Sequence, residues 1–137
     1  MANSLKSRVE RRVLKKQTDV FTPKDFANLG GEDQVLRALR ILTREQKLIR
    51  LGYGVYARAR KSALTGRVVL ANPQGFLAVG RQALDRLNVK WELTSAQLDY
   101  NSGKSTQIPI NPVIRIKGRF SRKLRYGNTE IVFERNR

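Results

Sequence analysis

The pattern of apolar and polar positions over residues 21–60 predicts two short helices followed by a hairpin. Thr22 suits the N-cap of the first helix and Pro23 suits its first turn. Gly30-Gly31 then interrupts the chain, and a second helix is predicted over residues 32–45. The apolar residues of that helix recur at spacings of three and four, which is the period of one helical face; they are Val35, Ala38, Leu39 and Leu42.

Two strands joined by a tight turn follow the second helix. Residues 48–51 and 54–58 have the composition of strands, and Gly52-Tyr53 lies between them. Gly52 and Gly54 tolerate the positive φ angles of a tight turn. With a further helix predicted over residues 4–16, the order of elements predicts a winged helix-turn-helix domain over residues 1–62.

A boundary between two segments of the chain is predicted near Ser62. Beyond it, apolar periodicity predicts a helix over residues 74–87 and a short strand over 89–93. Residues 108–117 are predicted to form an edge-like strand, because Pro109 and Pro112 lack the amide hydrogen that a central strand needs. A hairpin turning at Gly127-Asn128 follows. The fold class is therefore α+β, with an N-terminal winged helix-turn-helix and a small α+β C-terminal segment (63–137) with a β-hairpin; the sequence leaves open whether the second segment folds independently.

Charge points to a polyanionic partner. The 137 residues hold 28 Lys and Arg against 11 Asp and Glu, a formal net charge of +17. An excess of this size is typical of proteins that bind nucleic acid. No apolar run approaches the roughly 18 residues of a membrane span, and cysteine is absent. We expect a cytoplasmic protein without membrane contact.

The residue types that support most catalytic and metal sites are missing. The chain has no His and no Cys, which excludes the usual zinc sites and catalytic triads. The acids are scattered, with no pair placed to hold magnesium. Gly103-Lys104-Ser105 resembles the end of a phosphate-binding loop, but Leu98 stands where the first glycine is required. We therefore expect a polar turn there, no metal, no cofactor and no enzymatic activity.

The predicted recognition helix is that over residues 32–45. Gln34 can pair with adenine and Arg37 with guanine, whereas Arg40 and Arg44 suit phosphates. Cations on or beside the hairpin suit the minor groove or its phosphates. The alternative is an amphipathic helix with ordinary surface arginines. The predicted DNA-binding residues are Lys24, Gln34, Arg37, Arg40, Arg44, Arg50, Tyr53, Arg58, Arg60 and Lys61.

A second basic surface is predicted in the C-terminal segment. Residues 115–125 hold six cations and no acid, and these are Arg115, Lys117, Arg119, Arg122, Lys123 and Arg125. They can extend a nucleic-acid surface, meet an acidic protein, or keep a strand edge solvated. The sequence does not separate these alternatives.

Several short stretches, in order along the chain, resemble the small antitoxins of AbiEi type. They are residues 21–26 (Phe-Thr-Pro-Lys-Asp-Phe), 35–42, 49–51, 54–56 and the Ser-Thr-Gln-Ile-Pro stretch at 105–109. The resemblance implies a winged helix joined to a C-terminal domain, in a type IV toxin–antitoxin system. It also implies binding to inverted repeats at the protein's own promoter, repression of that operon, and opposition to a nucleotidyltransferase-like toxin encoded nearby without a stable complex. DNA binding would fall on Gln34, Arg37 and Arg40, and on Arg50 and Arg58 of the hairpin.

The expected function is thus that of a sequence-specific, double-stranded-DNA-binding antitoxin and transcriptional autorepressor. One alternative is a basic adaptor, phage- or plasmid-borne, that binds an acidic protein. Another is an RNA-binding module in which Tyr53, Tyr100, Phe120 and Tyr126 stack on bases. The oligomeric state is not predicted.

Overall fold

The N-terminal half folds in the order helix, strand, short helix, helix, strand, strand. The computed structural model describes residues 4–94, 97, 103 and 112–135. Strand β3 lies between β1 and β2 in an antiparallel sheet, with Val20 opposite Ala57 and Arg50 opposite Tyr56. The elements are α1 (Leu5–Lys15), β1 (Val20–Phe21), a 3-10 helix (Pro23–Phe26), α2 (Glu32–Arg44), β2 (Leu48–Gly52) and β3 (Val55–Lys61).

The two predicted helices of the central stretch differ in kind. Helix α2 begins after Gly31 and buries the four apolar residues that its periodicity marked. The first helix is a single 3-10 turn, in which the side chain of Asp25 accepts a hydrogen bond from the Thr22 amide at 2.8 Å. Pro23 opens that turn, and Phe26 closes it as a fully buried side chain.

The C-terminal half adds one helix and six short strands among the described residues. Strand β4 extends the first sheet by pairing with β3, and β7 and β8 form the predicted hairpin around Gly127-Asn128, with Gly127 at φ +60°. The molecule is a mixed α+β protein, as predicted. The elements are β4 (Val68–Leu70), α3 (Phe76–Arg86), β5 (Trp91–Glu92), β6 (Val113–Ile116), β7 (Arg125–Tyr126), β8 (Thr129–Glu130) and β9 (Val132–Arg135).

The edge-strand prediction for residues 108–117 is wrong where the structure tests it. Strand β6 lies between β5, which is antiparallel to it, and β9, which is parallel. Pro112 immediately precedes the strand, so its missing amide hydrogen leaves the ladder intact. Pro109 and the rest of residues 108–111 lie outside the described residues.

Both faces of the first sheet are covered. On one face Phe21, Leu48 and Tyr56 pack with the apolar sides of α1 and α2. On the other face, N-terminal and C-terminal residues form one cluster that includes Val20, Leu51, Val55, Ala57, Val79, Leu84, Ile114 and Leu124. The second segment therefore packs on the first through a shared core, and the boundary near Ser62 does not divide that core.

No helix in residues 4–94 or 112–135 is long and apolar enough to cross a membrane.

Candidate nucleic-acid interface

Three arginines form a stripe on the exposed side of α2. At about 100° per residue, Arg37, Arg40 and Arg44 lie opposite the buried Val35 and Leu39. All three arginines are exposed, and no ion pair found within the described residues involves them. Their charges are thus available to an external anion.

Gln34 lies at one edge of this stripe rather than at its centre. Its side chain points towards Gly30 and the start of α1, since a Cβ at Gly30 would lie 3.4 Å from Oε1 of Gln34 and 3.1 Å from Leu5. Arg40 lies about 120° away around the helix, on the side that faces the hairpin. Gln34 and Arg40 therefore border different sides of α2.

We call the hairpin of β2 and β3 the wing. A concave groove separates α2 from the wing. Its volume is about 510 Å³, and Leu36 and Tyr56 form part of its wall. Glu32, at the start of α2, is the acid that lines it. The groove brings together five cations from five parts of the chain: Lys24, Arg40, Arg50, Arg86 and Arg122.

The groove unites residues from both predicted surfaces. Lys24, Arg40, Arg50 and Tyr53 come from the predicted DNA-binding residues, and Tyr53 at the wing tip is 74% exposed. Arg122 comes from the second basic surface. Arg86 was missed by sequence reasoning, because nothing local indicates that the end of α3 would meet the 3-10 helix.

Arg86 reaches the groove through an ion pair with Asp25, whose side chain is 5% exposed. Lys16 also contacts this carboxylate, with Nζ 3.3 Å from Oδ1. Burial, together with the nearby charges of Arg86 and Arg12, lowers the pKa of Lys16. Asp25 therefore joins α1, the 3-10 helix and α3 at one point on the groove wall.

Arg58 does not belong to the exposed surface that the sequence predicted. Its guanidinium donates to the backbone oxygens of Val13 and Lys16, with the Lys16 contact at 2.7 Å, and pairs with Asp19 at 3.2 Å. It also lies 5.5 Å from the centre of the Phe21 ring. Because its hydrogen bonds tie it to the end of α1, Arg58 has a structural role, and its contact with DNA stays a prediction.

Arg60 and Lys61 are exposed but lie away from the wing tip. They pair with Val69 and Val68 of β4, at the opposite end of β3 from Val55. At about 3.3 Å per residue, this end of the strand is roughly 20 Å from the turn. These two cations do not line the groove.

The second basic surface divides into two parts. Arg115 pairs with Glu134 and Glu92, and Lys117 lies 3.7 Å from Glu92, so both are engaged on the second sheet. Arg119 is exposed near them in sequence. The remaining three cations, Arg122, Lys123 and Arg125, lie beside the wing and border a further open space with Arg50 and Tyr53.

Internal ion pairs occupy many of the acids. Six carboxylates in the described part of the chain contact a Lys or Arg: Glu10, Asp19, Asp25, Glu45, Glu92 and Glu134. A hydrogen bond from Lys6 lowers the pKa of Glu45, and one to Glu10 raises the pKa of Lys47. The pairs tie α1 to the end of α2. With these acids paired internally, the charge around the groove is dominated by arginine and lysine.

No cluster of three His, Cys, Asp or Glu side chains that could hold a metal ion occurs among residues 4–94, 97, 103 and 112–135. Gly103 lies in a turn at φ +81°, and Lys104 and Ser105 lie outside the described residues.

A model of the protein family DUF6088, described as a family of unknown function, matches residues 8–137. No curated protein and no solved structure matches the chain significantly.

Proposed function

The chain belongs to the DUF6088 family, and we propose that it is a winged-helix protein that binds double-stranded DNA sequence-specifically and represses transcription. The observation that carries the proposal is the exposed arginine stripe on α2, which faces outward beside a cation-lined groove and a wing. Arg37, Arg40 and Arg44 have no partner among the ion pairs described, whereas the part-buried Arg58 pairs with Asp19 and donates to the Lys16 oxygen.

The order of elements supports the winged-helix assignment. Helix α1, strand β1, a short helical turn, α2 and the β2–β3 hairpin follow one another, and β3 pairs with both β1 and β2. In this arrangement the second full helix is exposed on one side and the hairpin projects beside it. An α-helix fits the major groove, which is about 12 Å wide.

Affinity and specificity would come from different residues. On the proposed docking, Arg37 pairs with a guanine edge in the major groove of the DNA. Arg40 and Arg50, which line the protein groove from α2 and β2, contact DNA phosphates. Lys24 and Tyr53 would contact the backbone where it passes the wing. Glu32 and Asp33 open α2, where negative charge suits the helix dipole but repels phosphate. The mechanism is binding rather than catalysis.

The biological role is proposed from the sequence resemblance alone. An antitoxin of AbiEi type would bind inverted repeats in its own promoter, repress the operon and oppose a toxin encoded nearby. We propose that role, in the cytoplasm, as the one in which a DNA-binding protein of this size and charge would act.

A fluorescence-anisotropy titration tests the proposal. Wild-type protein would be titrated against the duplex upstream of its gene and against a shuffled duplex of equal length, at several salt concentrations. We expect tighter binding to the native duplex that persists at moderate salt, because base contacts are less salt-sensitive than phosphate contacts. Equal binding that collapses with salt would overturn sequence specificity.

The anisotropy titration and a co-purification experiment separate the rival functions. Tighter binding to single-stranded RNA than to either duplex would favour the RNA-binding module. Nuclease-resistant co-purification with an acidic protein, together with weak binding to both duplexes, would favour the adaptor.

A further inference from the structure

The chain between β6 and β7 lies directly against the wing tip. We call residues 121–125 the strap. A Cβ placed on Gly52 would lie 2.3 Å from the backbone oxygen of Lys123, so only glycine allows this approach. Leu124, the next residue, is fully buried in the core shared by both halves of the chain. The backbone of the strap is therefore seated on the wing and anchored beneath it.

Arg122 makes the contact at the tip. Its guanidinium lies 5.9 Å from the centre of the Tyr53 ring, and its Nη1 lies 3.5 Å from the Tyr53 backbone oxygen. A guanidinium over an aromatic face is attracted by the ring's electron density. The contact gives Arg122 a preferred position at the wing tip while both side chains stay exposed.

The far side of the strap is held by β9 and its flanking residues. The Ile131 amide donates to the Leu124 oxygen at 2.9 Å, and Arg135 donates to the Phe120 oxygen at 2.6 Å. The rings of Phe120 and Phe133 meet edge to face at 5.2 Å. Contacts on both sides make the strap a fixed part of the surface rather than a free loop.

We propose that the strap forms a second part of the wing and binds the DNA backbone next to the segment read by α2. Arg122, Lys123 and Arg125 are exposed and continue the line of cations from Arg40 and Arg50, with Glu130 as the nearby acid. Cations grouped on one surface can neutralise neighbouring phosphates of a duplex. This inference rests on the proposed function and extends the DNA-binding site into the C-terminal half.

The salt dependence of binding tests the inference. The double variant Arg122→Gln/Lys123→Gln removes two strap cations, and Arg67→Gln/Lys90→Gln is its control, because it removes the same charge from exposed positions away from the wing. Each lost phosphate contact lowers the slope of log K against log salt by about 0.9. We expect the slope of the strap variant to be smaller than that of wild type by about 1.8. Its affinity at 0.1 M salt should be lower by roughly one to two orders of magnitude, and its preference for native over shuffled duplex should not change.

Two outcomes would overturn the inference while leaving the proposed function standing. One is that the strap variant keeps the wild-type slope. The other is that the control loses as much slope as the strap variant, which would mean that net charge alone determines the slope. Failure of the wild-type protein to bind any duplex would instead overturn the proposed function, and this proposal with it.

A second measurement uses the unaltered protein and does not depend on how the variants fold. Lysines would be acetylated with a water-soluble reagent, with and without a duplex of two to three helical turns, and quantified by mass spectrometry. We expect DNA to protect Lys123 while Lys90 remains reactive, since both are exposed in the free protein. If Lys123 reacted equally with and without saturating DNA, the result would contradict the proposed role of the strap.

Discussion

Arg86 in the last turn of α3 forms an ion pair with Asp25 in the 3-10 helix, which joins the two halves of the chain at the wall of the groove. The same carboxylate accepts from the Thr22 amide and contacts Lys16. A buried carboxylate with three partners holds the entry to α2 and the end of α3 in one arrangement. The groove therefore depends on Asp25, although Asp25 itself does not line it.

Asp25→Asn tests this dependence. The variant removes the charge that offsets Arg86 and Lys16, and we expect it to destabilise the fold by about 2–4 kcal/mol, in the range for breaking a partly buried pair. Chemical denaturation would measure the loss. Asp33→Asn is the control, because Asp33 is exposed on α2 and its loss should cost at most about 1 kcal/mol, through the helix dipole. Equal effects of the two changes would contradict the role of Asp25.

Arg58→Met separates a structural arginine from a DNA-binding one. The change removes donors from the end of α1 and leaves the Val13 and Lys16 oxygens without their partner, so we expect a loss of about 2–4 kcal/mol in unfolding free energy. The salt slope of DNA binding by the remaining folded protein should not change. Denaturation curves and anisotropy on the same preparation measure both quantities. A reduced slope with unchanged stability would restore Arg58 to the interface.

The part-buried position of Arg58 beside α1 could have been predicted from the strand's alternation. Val55 and Ala57 face the C-terminal core, whereas Tyr56 faces α1 and α2. Tyr56 is buried in the core, and Arg58 is two residues further along the same face. The positive charge of Arg58 drew the assignment to the surface, although its face pointed under α1.

Helices were predictable and strand partners were not. The periodicity of apolar residues placed α1, α2 and α3 to within about two residues of their bounds, because a helix satisfies its hydrogen bonds locally. Strand β9 pairs with β6 in parallel, and β4 pairs with β3, and neither pairing leaves a local mark in sequence. For the same reason the meeting of Arg122 with Tyr53, 69 residues apart, could not be predicted.

Arg37→Ala and Arg50→Ala should weaken DNA binding in different ways. If Arg37 pairs with a guanine, its loss removes about 1–3 kcal/mol of discrimination at that base pair and reduces the preference for native over shuffled duplex. Arg50 faces the groove from β2, so its loss should weaken both duplexes alike and lower the salt slope by about 0.9. Anisotropy with both duplexes measures the contrast. Uniform loss in both variants would show that α2 is not the recognition helix.

Acid should weaken the tie between α1 and the end of α2. Lys6 donates to Glu45 at 2.7 Å, and this hydrogen bond lowers the pKa of Glu45 in the folded protein. A carboxyl whose pKa is lower when folded stabilises the fold above its unfolded pKa, about 4.3, and loses that contribution as pH falls through the folded value.

Melting temperatures of wild type and Glu45→Gln between neutral and acidic pH measure this effect. We expect the variant to melt below wild type at pH 7 and the difference to shrink as the pH falls, because Glu45 is protonated as the pH passes through its lowered pKa. Glu130→Gln is the control, since Glu130 is exposed and has no ion pair within the described residues. A constant difference across the pH range would mean that Glu45 acts through packing rather than charge.

Gly52→Ala should cost more stability than Gly80→Ala, although both glycines are closely packed. The added Cβ would approach to 2.3 Å in each case, but at Gly52 it meets the backbone oxygen of Lys123, and at Gly80 it meets the terminal methyl of Ile131. A side-chain methyl can rotate away, and alanine within α3 gains up to about 1 kcal/mol in helix propensity.

The backbone of the strap has no such freedom, because Leu124 is buried and its oxygen is already bonded to Ile131. We expect Gly52→Ala to lose about 2–4 kcal/mol in unfolding free energy and Gly80→Ala to stay within about 1–2 kcal/mol of wild type. Denaturant titration of both variants measures the difference. If Gly52→Ala were as stable as wild type, the strap would have to lie further from the wing tip than this structure places it, and Arg122 and Lys123 would no longer border the same space as Arg50.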